Sequence, residues 1–166
     1  MNENKGFTIV ELLIVISIMG IISAISVPGL LEWRRNAQYK EAAQTALTAL
    51  RQAKSQAVNL NRPVTVLLTL DSNAANEGNK IKIGSEADIL FEKRIEIKWG
   101  AIGNEDCDDE DSGGFSFTFF PNGTFAENQL GYVCIFDGTT RKYRAGVAAA
   151  NAGRVLMQKW QNNAWK

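Results

Sequence analysis

The chain has 166 residues, with 18 basic and 18 acidic side chains, no histidine and two cysteines. That balance leaves no global basic field to make nucleic acid or acidic lipid an obligatory partner. The missing histidines remove the commonest general base and metal ligand, and two cysteines are too few for a structural zinc site of the usual kind.

Residues 12–31 form a charge-free apolar run with a single carboxylate, Glu11, at its head. A helix rising about 1.5 Å per residue would carry this run across the ~30 Å hydrocarbon core of a bilayer. An acid at the centre of such a helix costs on the order of 3 kcal/mol, and less near an end, so Glu11 reads as a functional group in want of a partner. A secretory signal would use Ala24-Ile25-Ser26 as its cleavage site, yet the run is long for one and Glu11 is misplaced. A plain anchor flanked by Arg34 and Arg35 would put the following domain in the cytoplasm and leaves Glu11 unexplained. Within the run, Pro28 cannot donate to the carbonyl of Ala24 and Gly20 lowers helix propensity by roughly 1 kcal/mol. The stretch between them can loosen, or the two residues merely kink the helix.

From residue 32 the pattern becomes amphipathic. Ala43, Ala46, Leu47, Leu50, Ala53 and Ala57 recur at helical spacing, with Lys40, Gln44, Arg51, Gln52 and Lys54 elsewhere on the circumference. The spacing predicts one helix continuing to about Asn59, ended by Asn61-Arg62-Pro63. Residues 32–60 are thus the amphipathic half of the same helix, and 61–166 a single globular domain. Strands are expected at 64–70, 81–83, 89–91, 95–99, 115–120, 132–136, 143–147 and 154–158, with turns at Asn122-Gly123 and Asp137-Gly138. Short apolar segments without helices between them favour an antiparallel sheet. The fold class is α+β: a long N-terminal helix packed on an antiparallel β-sheet domain.

The segment Lys5-Gly6-Phe7-Thr8-Ile9-Val10-Glu11 followed by an apolar helix resembles the class III leader and first helix of type IV pilins and the related pseudopilins. The resemblance implies that a prepilin peptidase in the inner membrane cuts after Gly6 and N-methylates Phe7. Residues 1–6 become the leader and 7–31 the transmembrane and filament-core helix. It also implies a periplasmic domain, against the flank argument from Arg34 and Arg35. The new amine at Phe7 and the carboxylate of Glu11 are each costly alone in apolar surroundings and less so as a pair. About one helical turn separates them, so they could pair within a chain. The resemblance implies pairing between subunits instead, together with melting between Gly20 and Pro28 in the filament.

Further along, Ser55-Gln56-Ala57-Val58 leading into Arg62-Pro63-Val64-Thr65-Val66, then Phe119-Phe120-Pro121-Asn122-Gly123 and Gly153-Arg154-Val155, are similar to motifs of the pseudopilin H and FimT/FimU group. If the domain lies beyond an inner-membrane anchor, Cys107 and Cys134 face an oxidising compartment and are expected to bridge, the alternative being a free buried pair. A closed loop of about 28 residues would then stabilise by roughly 3.5 kcal/mol in the entropy model.

Around Cys107 run Glu105, Asp106, Asp108, Asp109, Glu110 and Asp111, followed by Gly113-Gly114. Such carboxylates could ligate calcium, but the spacing is not that of an EF-hand and a solvated loop accounts for them. Basic residues gather near the C-terminus, at Arg141, Lys142, Arg144, Arg154 and Lys159, interleaved with Trp160 and Trp165. Cations that track phosphates beside aromatics that stack bases suit DNA. Some FimT-like proteins take up DNA through Gly-Arg-x-Arg, and here Leu156 stands where the second arginine would be. Strand-face charges with tryptophans packed on the sheet are the plainer account.

No nucleophile with a base and no phosphate loop is found, so catalysis, cofactors and a resident metal are not expected. The expected function is that of a minor pilin of a type IV pilus, assembling near the tip. Pseudopilin H of a type II secretion system and a DNA-binding pilin of natural transformation are the alternatives. Expected partners are other pilins of the filament, the prepilin peptidase, the inner-membrane assembly platform and, for the last reading, DNA. Localisation would be single-pass in the inner membrane, then in the pilus or pseudopilus.

Overall fold

A computed structural model of the chain describes residues 7–70, 78–92, 95–101, 107, 115–125, 131–147 and 154–166. Gly6, Gly153 and the acidic residues around Cys107 lie outside the described residues. Among the described residues one helix, α1 (Ile9–Asn59), precedes nine strands. By contact density the chain divides into two units, Met1–Ala37 and Gln38–Lys166.

Both ends of α1 carry local signals that explain where it starts and stops. At the N-terminus the Thr8 hydroxyl accepts from the Glu11 amide at 3.2 Å, while Glu11 Oε2 accepts from the Thr8 amide at 2.9 Å and the Thr8 hydroxyl at 3.0 Å. This reciprocal pair is a capping box, and it satisfies two donors that the first turn leaves orphaned. At the C-terminus Asn61 adopts a left-handed φ of 48°. The Arg62 amide then donates to the Ala57 carbonyl and the Asn61 amide to the Val58 carbonyl. That is a Schellman motif with asparagine in the left-handed position, and Pro63 follows where the helix can no longer continue.

Within Met1–Ala37 the apolar side chains of α1 are uncovered all round, from Ile9 to Trp33, which is 69% exposed. In the second unit the stripe Ala42, Ala43, Ala46, Ala49, Leu50, Ala53 and Ala57 is buried, as is Tyr39. Alanine at these positions permits close approach of the helix, and the stripe joins the strands in one hydrophobic core.

The strands are antiparallel and divide into two sheets, where the sequence suggested one. Sheet A has the order β3 (Ile89–Leu90), β2 (Lys80–Ile83), β1 (Val64–Thr69), β5 (Phe115–Phe119); sheet B has β4 (Glu96–Ala101), β6 (Gly131–Asp137), β7 (Thr140–Val147), β8 (Val155–Gln161), β9 (Ala164–Trp165). The division falls between β4 and β5, which pair with β6 and β1 respectively. Trp99 of β4 stacks on Phe115 of β5 at 4.5 Å, so an aromatic contact joins the sheets where backbone pairing does not.

β1 shows the period-2 alternation of a half-buried strand: Val64, Val66 and Leu68 face the core, and Thr65 and Leu67 face out. On that outer side the hydroxyls of Thr65 and Thr118 meet across the β1–β5 pair at 3.0 Å. β6 behaves differently, with every residue from 131 to 136 buried. Val133 and Ile135 join the main core, whereas Tyr132, Cys134 and Phe136 form a second cluster on the opposite face of sheet B.

Candidate functional site

Two places carry chemistry beyond packing. The first is the head of α1, where Phe7 is exposed and Glu11 opens the only helix among the described residues that is long and apolar enough to cross a membrane. Glu11 is engaged by Thr8 within its own chain, through the capping box. The sequence already held the signal, Thr8-Ile9-Val10-Glu11, which is the S/T-x-x-E spacing just before a hydrophobic run. A carboxylate at this point also interacts favourably with the positive end of the helix dipole. Gly20 is open on all sides, with nothing within 4 Å of where a side chain would begin.

The second place is the outer face of sheet B. In register, Cys134 of β6 lies beside Arg144 of β7, which lies beside Gln158 of β8. One step along, Tyr132 lies beside Gly146 and then Leu156. Cys134 is bonded to Cys107, so the expected bridge is present and fastens residue 107 onto this face. Arg144 is only 5% exposed. Its guanidinium lies 4.0 Å from the Tyr132 ring centre and 4.7 Å from that of Trp165, and its Nε donates to Gln158 Oε1 at 2.8 Å. Two aromatic faces and an amide oxygen offset part of the hydration that the buried guanidinium loses.

Gly146 makes room for this arrangement. A β-carbon there would lie 2.2 Å from the Gly131 carbonyl oxygen and 2.8 Å from the Tyr132 ring, so no other residue fits without moving the backbone. Trp165 arrives through a two-residue turn, Asn162-Asn163, both with positive φ (52° and 58°), which is the backbone of a type I′ hairpin.

These contacts correct the expectation for Arg144. It is enclosed by its own protein and does not present a cation to phosphates. Arg141 lies over Trp160 at 5.1 Å, Lys142 pairs with Asp137 at 3.4 Å, and Arg154 and Lys159 are exposed. Sequence reasoning missed Tyr132, Gly146, Gln158 and Trp165 as partners of Arg144. Only the Asn162-Asn163 dipeptide hinted at the returning strand.

Residues 1–27 match the family model of the prokaryotic N-terminal methylation motif, and residues 42–153 that of the type II transport protein GspH. A fimbrial protein of Moraxella nonliquefaciens is 50% identical over 42 residues, which are 25% of this chain and 27% of that protein. The type IV major pilin protein PilA of Myxococcus xanthus is 42% identical over 48 residues, 29% of this chain and 21% of that protein. The chain thus spans about a quarter of the length of these curated relatives. A crystal structure of the type IV minor pilin FimU of Pseudomonas aeruginosa covers 81% of this chain and 96% of its own, with a TM-score of 0.51 at 17% identity. At that identity the likeness speaks for the fold alone.

Proposed function

The chain belongs to the GspH family of type IV pilin-like proteins, and on that premise we propose that it is a minor pilin, a structural subunit stored in the inner membrane and drawn into a type IV pilus near its tip. The observation that carries the proposal is the uncovered apolar surface of α1, from Ile9 to Trp33, with one carboxylate at its head. Such a surface is stable only in lipid or against other apolar helices, and a filament core of like helices supplies the second when the first is left behind.

Glu11 then has two successive partners. In the single chain it caps its own helix through Thr8. In the filament it meets the methylated amine of Phe7 in a neighbouring subunit, a charge pair that desolvates both groups together and fixes the axial register. Prepilin peptidase creates that amine by cutting after Gly6. Loosening between Gly20 and Pro28 lets the anchor lengthen as it leaves the membrane. The subunit's work is assembly and display, not catalysis.

The description of the matched family favours a second reading, pseudopilin H of a type II secretion system, which uses the same helix in the same way. The intact mass and N-terminal sequence of protein from the native membrane test what both share. A chain beginning at Phe7 with one added methyl group is expected. A chain beginning after Ser26, or still carrying residues 1–6, contradicts it.

A further inference from the structure

We propose that the Cys107–Cys134 disulfide and the Arg144 stack together form a redox-sensitive latch that holds the short C-terminal strand β9 on the outer face of sheet B. β8 is itself secured by its five-pair ladder to β7 and by Val155 and Met157 on the main core, so the proposal concerns β9, whose described pairing is short. β9 is two residues long and, among the described residues, pairs only with the end of β8, at Trp160↔Trp165 and Gln161↔Ala164. Beyond those pairs, two backbone bonds link Lys159 and Lys166, at 2.8 Å and 3.0 Å. So short a terminal strand is at best marginal in water, and its order depends on what its side chains touch, beginning with the Trp160 ring 4.9 Å from that of Trp165.

Beyond that ring lies the disulfide cluster. Trp165 and Leu156 pack against Cys107, Tyr132, Cys134 and Phe136. Trp165 also closes one side of the box around Arg144, whose other side is Tyr132. Removing the covalent tether frees residue 107 from this face and uncovers Cys134 and Tyr132. The stack then loses its dry surroundings, and a cation held by two rings is worth much less when water reaches it. The main core, on the other face of sheet B and along α1, shares none of these side chains. Opening is therefore local.

The switching step is ordinary thiol–disulfide exchange. A dithiol reductant gives up two electrons and two protons and becomes a disulfide, the Cys107–Cys134 bond breaks, and each sulfur takes one proton.

Hydrogen exchange of the full chain in detergent, read by NMR with and without dithiothreitol, tests the latch. Reduction, verified by a mass gain of two hydrogens, is expected to speed exchange at the Lys159 and Lys166 amides about tenfold or more through a local opening that added urea hardly changes, whereas the amides of β1 go on exchanging only through the urea-dependent unfolding of the whole unit. Arg144→Met should open the same two amides in the oxidised protein, with little further change on reduction. The latch is refuted if reduction leaves Lys159 and Lys166 as protected as before, or if these two amides come to exchange only through the same urea-dependent unfolding as β1. Should the variant not fold, the oxidised and reduced parent proteins decide the matter by themselves.

Discussion

One helix meets its surroundings in two ways. From Ile9 to Leu31 its circumference is mostly Leu, Ile, Val and Met on every side, and no described residue of its own unit covers them. After Gln38 the buried positions are mostly alanines on one stripe, and strands of the same unit cover them. Large apolar groups all round call for an apolar medium outside the molecule, whereas a narrow stripe of small ones calls for a close partner inside it. The difference places folding energy in the second region and assembly energy in the first, and mutations should separate the two.

The largest separation is expected at buried aromatics. Phe117→Ala should destabilise the globular unit by about 3–5 kcal/mol in urea unfolding, while Leu13→Ala leaves the unfolding midpoint in detergent where it was. Loss of the bridge in Cys134→Ala comes next. It should cost about 2–4 kcal/mol in the same measurement, with no effect on membrane insertion. Forcing a β-carbon against the Gly131 carbonyl by Gly146→Ala should cost about 1–3 kcal/mol, seen as a lowered urea midpoint and as changed fluorescence from the nearby Trp165. The smallest effect is at the cap. Thr8→Ala should cost about 1 kcal/mol of helix stability confined to the first turn, visible as faster exchange of the Glu11 amide and invisible in the unfolding of the globular unit.

Much of this was legible beforehand because local patterns and tertiary packing agree. Asn61-Arg62-Pro63 stops the helix where propensity says it should, and β1 alternates as a half-buried strand must. Gly138, with φ at 58°, turns the chain between β6 and β7 where Asp137-Gly138 had marked it. What escaped depends on contacts across the sheet. The run Tyr132-Val133-Cys134-Ile135-Phe136 lacks alternation, which signals burial on both faces, yet nothing local says what covers the second face. Arg144 looked like a surface cation because its partners arrive from β6, β8 and β9, each brought by pairing register and not by sequence proximity. At the helix head the capping box was readable, but the conspicuous apolar run drew attention to the charge of Glu11 and away from its hydrogen bonds.

Those two roles of Glu11 can be told apart in one experiment. Glutamine at the third helical position also completes a capping box, so Glu11→Gln keeps the contact to Thr8 and removes only the negative charge. Incorporation of the variant into fibres, measured against the parent in cells expressing both, is expected to fall about tenfold or more, the equivalent of losing about 1.4 kcal/mol of intersubunit attraction. Equal incorporation of variant and parent would show that capping is all Glu11 does and would contradict the charge-pairing account of assembly.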